Sequence, residues 1–137
     1  MFKVKIIAQG RCKEPWLTAA LAEYEKRLKG RLQIEWILAE EPEELTAFCQ
    51  KESYLIALDI QGEALSSEAF SEKWIQRGIR SAFAIGGPEG LPKTVLKQAQ
   101  WRWSLSPLTF TNQMVRIILV EQLYRAMEIA KGSPYHK

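Results

Sequence analysis

Ala82-Phe83-Ala84-Ile85-Gly86-Gly87-Pro88-Glu89-Gly90-Leu91 is the stretch on which the reading of this 137-residue chain turns. A short apolar run without alternation describes a strand buried on both faces, as in parallel sheets, and it drives into three glycines and a proline. That is how such a strand reads when its C-terminal end opens onto a ligand. Gly86 and Gly87 lack a Cβ, so they can take positive φ and bring their amides close to a bound molecule, while Pro88 forbids continuation of the strand. Pro92 suits the first turn of a following helix. A Gly/Pro turn without any ligand reads the same way, so the stretch alone leaves both open.

Working outward, the pattern alternates strand and helix. Phe2 to Ala8 reads as a first strand, and Pro15 opens a helix whose Trp16, Leu17, Ala20, Leu21, Tyr24 and Leu28 share one face before Gly30. Leu32 to Leu38 is a second strand. A short acidic helix runs to about Gln50, and Tyr54 to Asp59 is a third strand, apolar enough to be central. Asp59 to Glu63 is expected to be a turn; Ser66 or Ser67 caps the next helix and Gly78 stops it. After the glycine-ended strand come a helix from Pro92 to Gln98 and a fifth strand over Trp101–Leu105. The last helix, from Asn112 to Lys131, carries a stripe of Val115, Ile118, Leu119, Leu123, Ala126, Ile129 and Ala130. Met114, Ile117, Val120, Tyr124 and Met127 add apolar surface outside that stripe. A surface helix needs only one such face, so either a second copy of the chain or the chain's own core covers the rest. The whole is an α/β pattern with a largely parallel sheet, expected to form one domain over 1–137.

The bulk numbers narrow the class. With 47% hydrophobic and 26% charged residues the chain can bury a sizeable core. Cys12 and Cys49 fit neither a disulfide framework nor a zinc pattern, and no apolar run is long enough to span a bilayer. The expectation is a soluble, cytoplasmic protein with reduced thiols and no metal. The net charge of +3 is unevenly spread: residues 1–31 carry +5, 32–90 carry −7 and 91–137 carry +5. If the fold joins the basic ends they make a face suited to phosphate; scattered lysines on solvated helix faces are the alternative.

Several chemistries are excluded. No Gly-Lys-Ser/Thr follows the glycine cluster, and Pro88 interrupts any dinucleotide fingerprint. The one histidine, His136, lies in the tail Gly132-Ser133-Pro134-Tyr135-His136-Lys137, so no Ser-His-Asp set is convincing. Histidine exchanges protons near neutral pH and tyrosine donates a hydrogen bond, so this tail suits an active site, although termini are commonly loose and inert.

Taken together, Leu58-Asp59, the Ile85–Leu91 stretch, Leu105-Ser106-Pro107-Leu108-Thr109-Phe110, Arg116, Glu121-Gln122-Leu123-Tyr124-Arg125-Ala126 and terminal Pro134-Tyr135-His136 closely resemble the RlmH family. These are the ribosomal large-subunit pseudouridine N(3)-methyltransferases of the SPOUT class, and the resemblance covers essentially the whole chain. It implies a SPOUT-type (alpha/beta knot) fold, a mostly parallel sheet flanked by helices with a C-terminal trefoil knot that ordinary topology rules would exclude. It implies S-adenosyl-L-methionine as cofactor, contacted by Leu58, Gly86, Leu105, Ser106, Pro107, Leu108, Thr109 and Phe110. It also implies Tyr135, His136 and Arg125 as catalytic groups, a homodimer, and the ribosome or 23S rRNA as partner, without membrane or metal. One departure stands out: Thr111-Asn112 replaces an expected Pro-His. Asn112 is expected to serve as the N-cap of the last helix.

Overall fold

The computed structural model describes residues 1–78 and 80–137. Five strands, β1 (Phe2–Gln9), β2 (Leu32–Ala39), β3 (Leu55–Ala64), β4 (Arg80–Ile85) and β5 (Trp101–Ser104), form one sheet in the order β2-β1-β4-β3-β5. Every pairing is parallel. The helices are α1 (Pro15–Arg27), α2 (Pro42–Gln50), α3 (Ser67–Arg77), α4 (Lys93–Gln98) and α5 (Asn112–Lys131).

The period of two along the strands explains the two layers. Phe83 and Ile85 of β4, with Ile6 and Ile56 beside them, enter a core closed by α1, α3 and α5. Ala82 and Ala84, with Ile7 and Leu55, enter a second core under α2 and α4, where Leu45, Cys49 and Val95 complete it. The small alanines leave room for short helices on that side, whereas the first side holds a stack of aromatic rings. Phe70 lies 3.9 Å from Trp103 and 5.6 Å from Trp74, both nearly parallel to it.

Three details differ from the sequence reading. Strand β3 does not end at Asp59; it leaves its partner after Leu58 and rejoins at Glu63, both residues pairing with Trp103, so residues 59–62 form an outward excursion inside one long strand. The N-cap of α5 is Thr111, whose Oγ1 accepts from the Met114 amide at 3.2 Å, and Asn112 is the first helical residue. On α5 itself, Val120 is fully buried while Ile118 is half-exposed and Ala130 exposed. The core face is therefore Arg116, Leu119, Val120, Leu123 and Ala126. Tyr124 is also covered from within the chain, edge-on to Tyr24 and Tyr135. Met114 remains 38% exposed.

Candidate functional site

Because all five strands run the same way, β3, β4 and β5 deliver their C-terminal ends to one side, the usual location of a ligand crevice in such sheets. A cavity of about 260 Å³ opens there. Leu58, Gly86, Leu105, Ser106, Leu108, Thr109 and Phe110 all line it; Pro107, expected with them, does not. Asp59, Ile60, Gly87, Leu91, Trp103 and Asn112 line it as well. Of these the sequence pointed to a ligand only at Gly87; Ile60, Leu91 and Trp103 carry no signal of their own and reach the cavity through the fold.

The glycine turn is held by its own backbone. Gly90 donates to the Gly87 carbonyl at 2.9 Å, closing a β-turn with Pro88 second and Gly90 fourth. Within this turn the positive φ belongs to Gly90, at +82°, and not to Gly86 or Gly87. Gly86 is required for another reason: a Cβ there would collide with the Gly90 carbonyl carbon. The cluster is thus folded tightly on itself, and its outer surface faces the cavity.

The walls are apolar where Leu58, Ile85, Leu105, Leu108 and Phe110 contribute and polar where Asp59, Ser106, Thr109 and Asn112 do, with the glycine turn closing one side. The Ser106 hydroxyl accepts from the Leu108 amide at 3.0 Å, which fixes the second loop. Trp103, in the cavity wall, carries the one buried side-chain nitrogen or oxygen among the described residues without a hydrogen-bond partner, its indole Nε1.

The expected catalytic groups form a second cluster, outside this cavity. Arg125 donates to Glu121 from Nη2 at 2.8 Å and from Nε at 3.3 Å, and its Nη1 lies 3.0 Å from His136 Nδ1. Arginine only donates, so Nδ1 is the acceptor and the ring hydrogen sits on Nε2, 3.2 Å from Glu68 Oε2. The Tyr135 hydroxyl donates to Glu121 Oε2 at 2.8 Å. Burial, and then the Glu121 carboxylate that accepts this bond, push the Tyr135 phenol well above its usual value, so Tyr135 is a donor at neutral pH and not a base. The tail is anchored upstream by Ser133, whose amide donates to the Glu128 carbonyl and whose hydroxyl donates to the Glu128 carboxylate. Arg31 donates to the other carboxylate oxygen at 2.6 Å.

Cys49 is enclosed in the second core, and burial pushes its thiol up to about 12, which makes it inert packing. No group of three metal-ligating side chains occurs among the described residues, and no described helix is long and apolar enough to cross a membrane. The basic ends do meet: Gln113 accepts from the Lys13 amide and donates to the Arg11 carbonyl. Much of the basic charge there is committed to structure, with Arg116 buried and Arg31 and Arg125 paired, while Arg11 and Lys13 stay exposed.

Comparison with known proteins agrees with this geometry. The family described as "Predicted SPOUT methyltransferase" matches residues 2–136. A ribosomal RNA large subunit methyltransferase H from Protochlamydia amoebophila is 51% identical, each chain covered completely. Proteins of the same name from Synechococcus sp. strain CC9605 and Xanthomonas euvesicatoria pv. vesicatoria are 41% and 37% identical, covering 98% of this chain and 96% and 99% of theirs. Among solved structures, the SpoU methyltransferase AviRb from Streptomyces viridochromogenes, in complex with AdoMet, aligns with a TM-score of 0.54 at 11% identity, over 90% of this chain and 57% of that one. TrmJ from Z. mobilis aligns with a TM-score of 0.54 at 8% identity, over 92% and 70%. The structural likenesses bear on the fold; the sequence relatives bear on the family. The chain belongs to the SPOUT methyltransferase family, in the group of the ribosomal RNA large subunit methyltransferase H proteins.

Proposed function

We propose that this chain, as one SPOUT domain with a trefoil-knotted C-terminal part, methylates ring nitrogen 3 of a pseudouridine in 23S rRNA on the assembled ribosome in the cytoplasm. The observation that carries the reading is the convergence of Leu58, Gly86 and five residues of the Leu105–Phe110 loop on one cavity, beyond the C-terminal ends of β4 and β5 and beside the excursion of β3. These residues fit S-adenosylmethionine: apolar walls for the adenine and the carbon chains about the sulfonium, with Gly86, Ser106 and Thr109 for polar edges. When bound, that cofactor supplies an electrophilic methyl group, and the pseudouridine imide gives up its N3 proton as the new bond forms.

The chain's contribution is alignment and proton control. Tyr135, kept protonated, orients the target base by turning its hydroxyl hydrogen from Glu121 to the base, and His136 receives or stabilises the proton at Nδ1 once Arg125 gives up its hydrogen bond there. Arg125 holds the tail through Glu121 and His136. Tyr135 and His136 lie outside the cavity lining of their own chain, so a homodimer in which each tail completes the cavity of the other copy reconciles the two clusters. The half-buried Ile117 and Met127 and the exposed Met114 on α5 are the surface left for that contact. Exposed Arg11 and Lys13 supply phosphate contacts.

The test is methyl transfer from labelled S-adenosylmethionine to ribosomes from cells lacking this protein, with the product nucleoside mapped by mass spectrometry. Label at N3 of a 23S pseudouridine is the expected result. Cofactor binding without incorporation would instead indicate an RNA-binding module with no turnover, and label at another nucleotide would change the target.

A further inference from the structure

At the first turn of α5 a buried arginine has no carboxylate partner. Arg116 is 1% exposed, and its guanidinium donates to the Gln9 carbonyl at 3.0 Å, to the Gly10 carbonyl at 2.7 Å and to Asn112 Oδ1 at 2.7 Å from Nη2 and 3.1 Å from Nε. Burial pulls its pKa down. On its other side the Asn112 amide donates from Nδ2 to the Gly86 carbonyl at 2.5 Å. Arginine can only donate and a carbonyl can only accept, so a single orientation of the amide satisfies both neighbours. Asn112 also lines the cofactor cavity.

We propose that Asn112 is a positioning residue for cofactor binding: it couples the buried Arg116 guanidinium to the Gly86 carbonyl and thereby sets the glycine turn that forms the cavity wall. This rests on the reading of the cavity as the S-adenosylmethionine site. A peptide unit is planar, so anchoring the Gly86 carbonyl fixes the whole Gly86–Gly87 plane, including the Gly87 N–H on its opposite edge. Without that hydrogen bond the Gly86–Gly87 peptide plane loses its anchor to α5. The role demands one acceptor and one donor on a neutral side chain. Aspartate supplies acceptors only and sets a carboxylate against the Gly86 carbonyl. Neutral histidine supplies one of each, but protonated histidine has two donors and cannot accept from Arg116. The side chain at 112 therefore decides whether the site responds to pH. Around it, the charged and titratable groups are Arg116 on α5 and the Cys12 thiol in the loop after β1, with carbonyls of Gln9 and Gly10 between.

The experiment is calorimetric titration of S-adenosylhomocysteine into the native protein, Asn112→Asp and Asn112→His at pH 8 and pH 5.5, with melting curves for each. The expected result is roughly tenfold or greater weakening in Asn112→Asp while it remains folded, since its carboxylate still pairs with Arg116. Asn112→His should bind within about threefold of native at pH 8, since neutral imidazole keeps one donor and one acceptor, and should fall behind only as the pH is lowered far enough to protonate the ring against the neighbouring Arg116 guanidinium, which holds it below its ordinary value. Using the ratio to native at each pH cancels titration of the ligand. Asn112→Asp binding within twofold of native overturns the proposal. If Asn112→Asp does not fold, Asn112→His binding about tenfold or more weaker than native at pH 8, where its ring supplies both the donor and the acceptor, overturns it instead. A native protein that binds no S-adenosylhomocysteine overturns the cavity reading itself, and this inference with it.

Discussion

The two ends of α5 solve the burial of charge in opposite ways. At the N-terminal end Arg116 is enclosed with no counter-ion, satisfied by two backbone carbonyls and the Asn112 amide. At the C-terminal end Glu121, Arg125 and Glu128 are held by opposite charges and stay partly open to water, apart from Glu128, whose side chain is 8% exposed. The first arrangement contains no acid to neutralise and little for salt to screen. The second depends on carboxylates and on ions that reach it. The helix therefore joins a rigid cavity wall to a tail whose grip can be loosened, which suits the proposed contact with a second copy and an RNA.

The sharpest way to test this division is at the tail. His136→Ala should lower methyl transfer by roughly a hundred- to ten-thousand-fold while S-adenosylhomocysteine affinity stays near native, measured by single-turnover assays and calorimetry. Equal turnover would remove His136 from the chemistry. At the other end, Arg116→Met should cost about 3 kcal/mol or more in urea unfolding, because it strands the Gln9 and Gly10 carbonyls inside the protein. A loss below about 1 kcal/mol would mean that water replaces the guanidinium.

Smaller effects separate the ends by their response to conditions. Glu128→Ala should destabilise by about 1.5–3 kcal/mol, since it removes the Arg31 and Ser133 contacts together. The hydrogen bond from Arg31 holds the Glu128 carboxyl below its ordinary 4.5. Its contribution is therefore present above that value and lost as pH falls through the lower folded one. The native melting temperature should drop more steeply between pH 5 and pH 3 than that of Glu128→Gln; parallel curves would show that other acids dominate. Least of all, 0.5 M salt should increase proteolytic clipping after Gly132 only modestly and leave cofactor affinity untouched.

Much of this architecture was legible because local chemistry and tertiary structure agree. The unalternated run at Ala82–Ile85 is the central strand, and the Ser66 cap and Gly78 stop hold as read. The apolar loop residues Leu105, Leu108 and Phe110 meet Leu58 as the motif resemblance implies. The failures share a cause: partners far away in sequence. Asn112 reads as a cap because its type favours caps, yet Thr111 takes that place and Asn112 reaches Gly86, 26 residues earlier. Val120 is buried and Ile118 half-exposed because α5 packs against α1, α3 and β4, elements far back in the chain. The return of β3 at Glu63 has no local signal beyond Gly62, since it depends on where Trp103 lies in β5.

The reach of α5 also dictates when the protein can become functional during its own synthesis. Arg116 contacts residues about a hundred positions earlier, at Gln9 and Gly10, Gln113 does the same at Arg11 and Lys13, and Glu128 closes on Arg31. The chain emerges N-terminus first, and contacts of such separation are the slow ones to form. The first four strands can pair while the glycine turn still lacks its anchor. On the proposed reading, a nascent chain lacks a set cavity wall until its last helix has left the ribosome, the particle on which the finished protein is proposed to act.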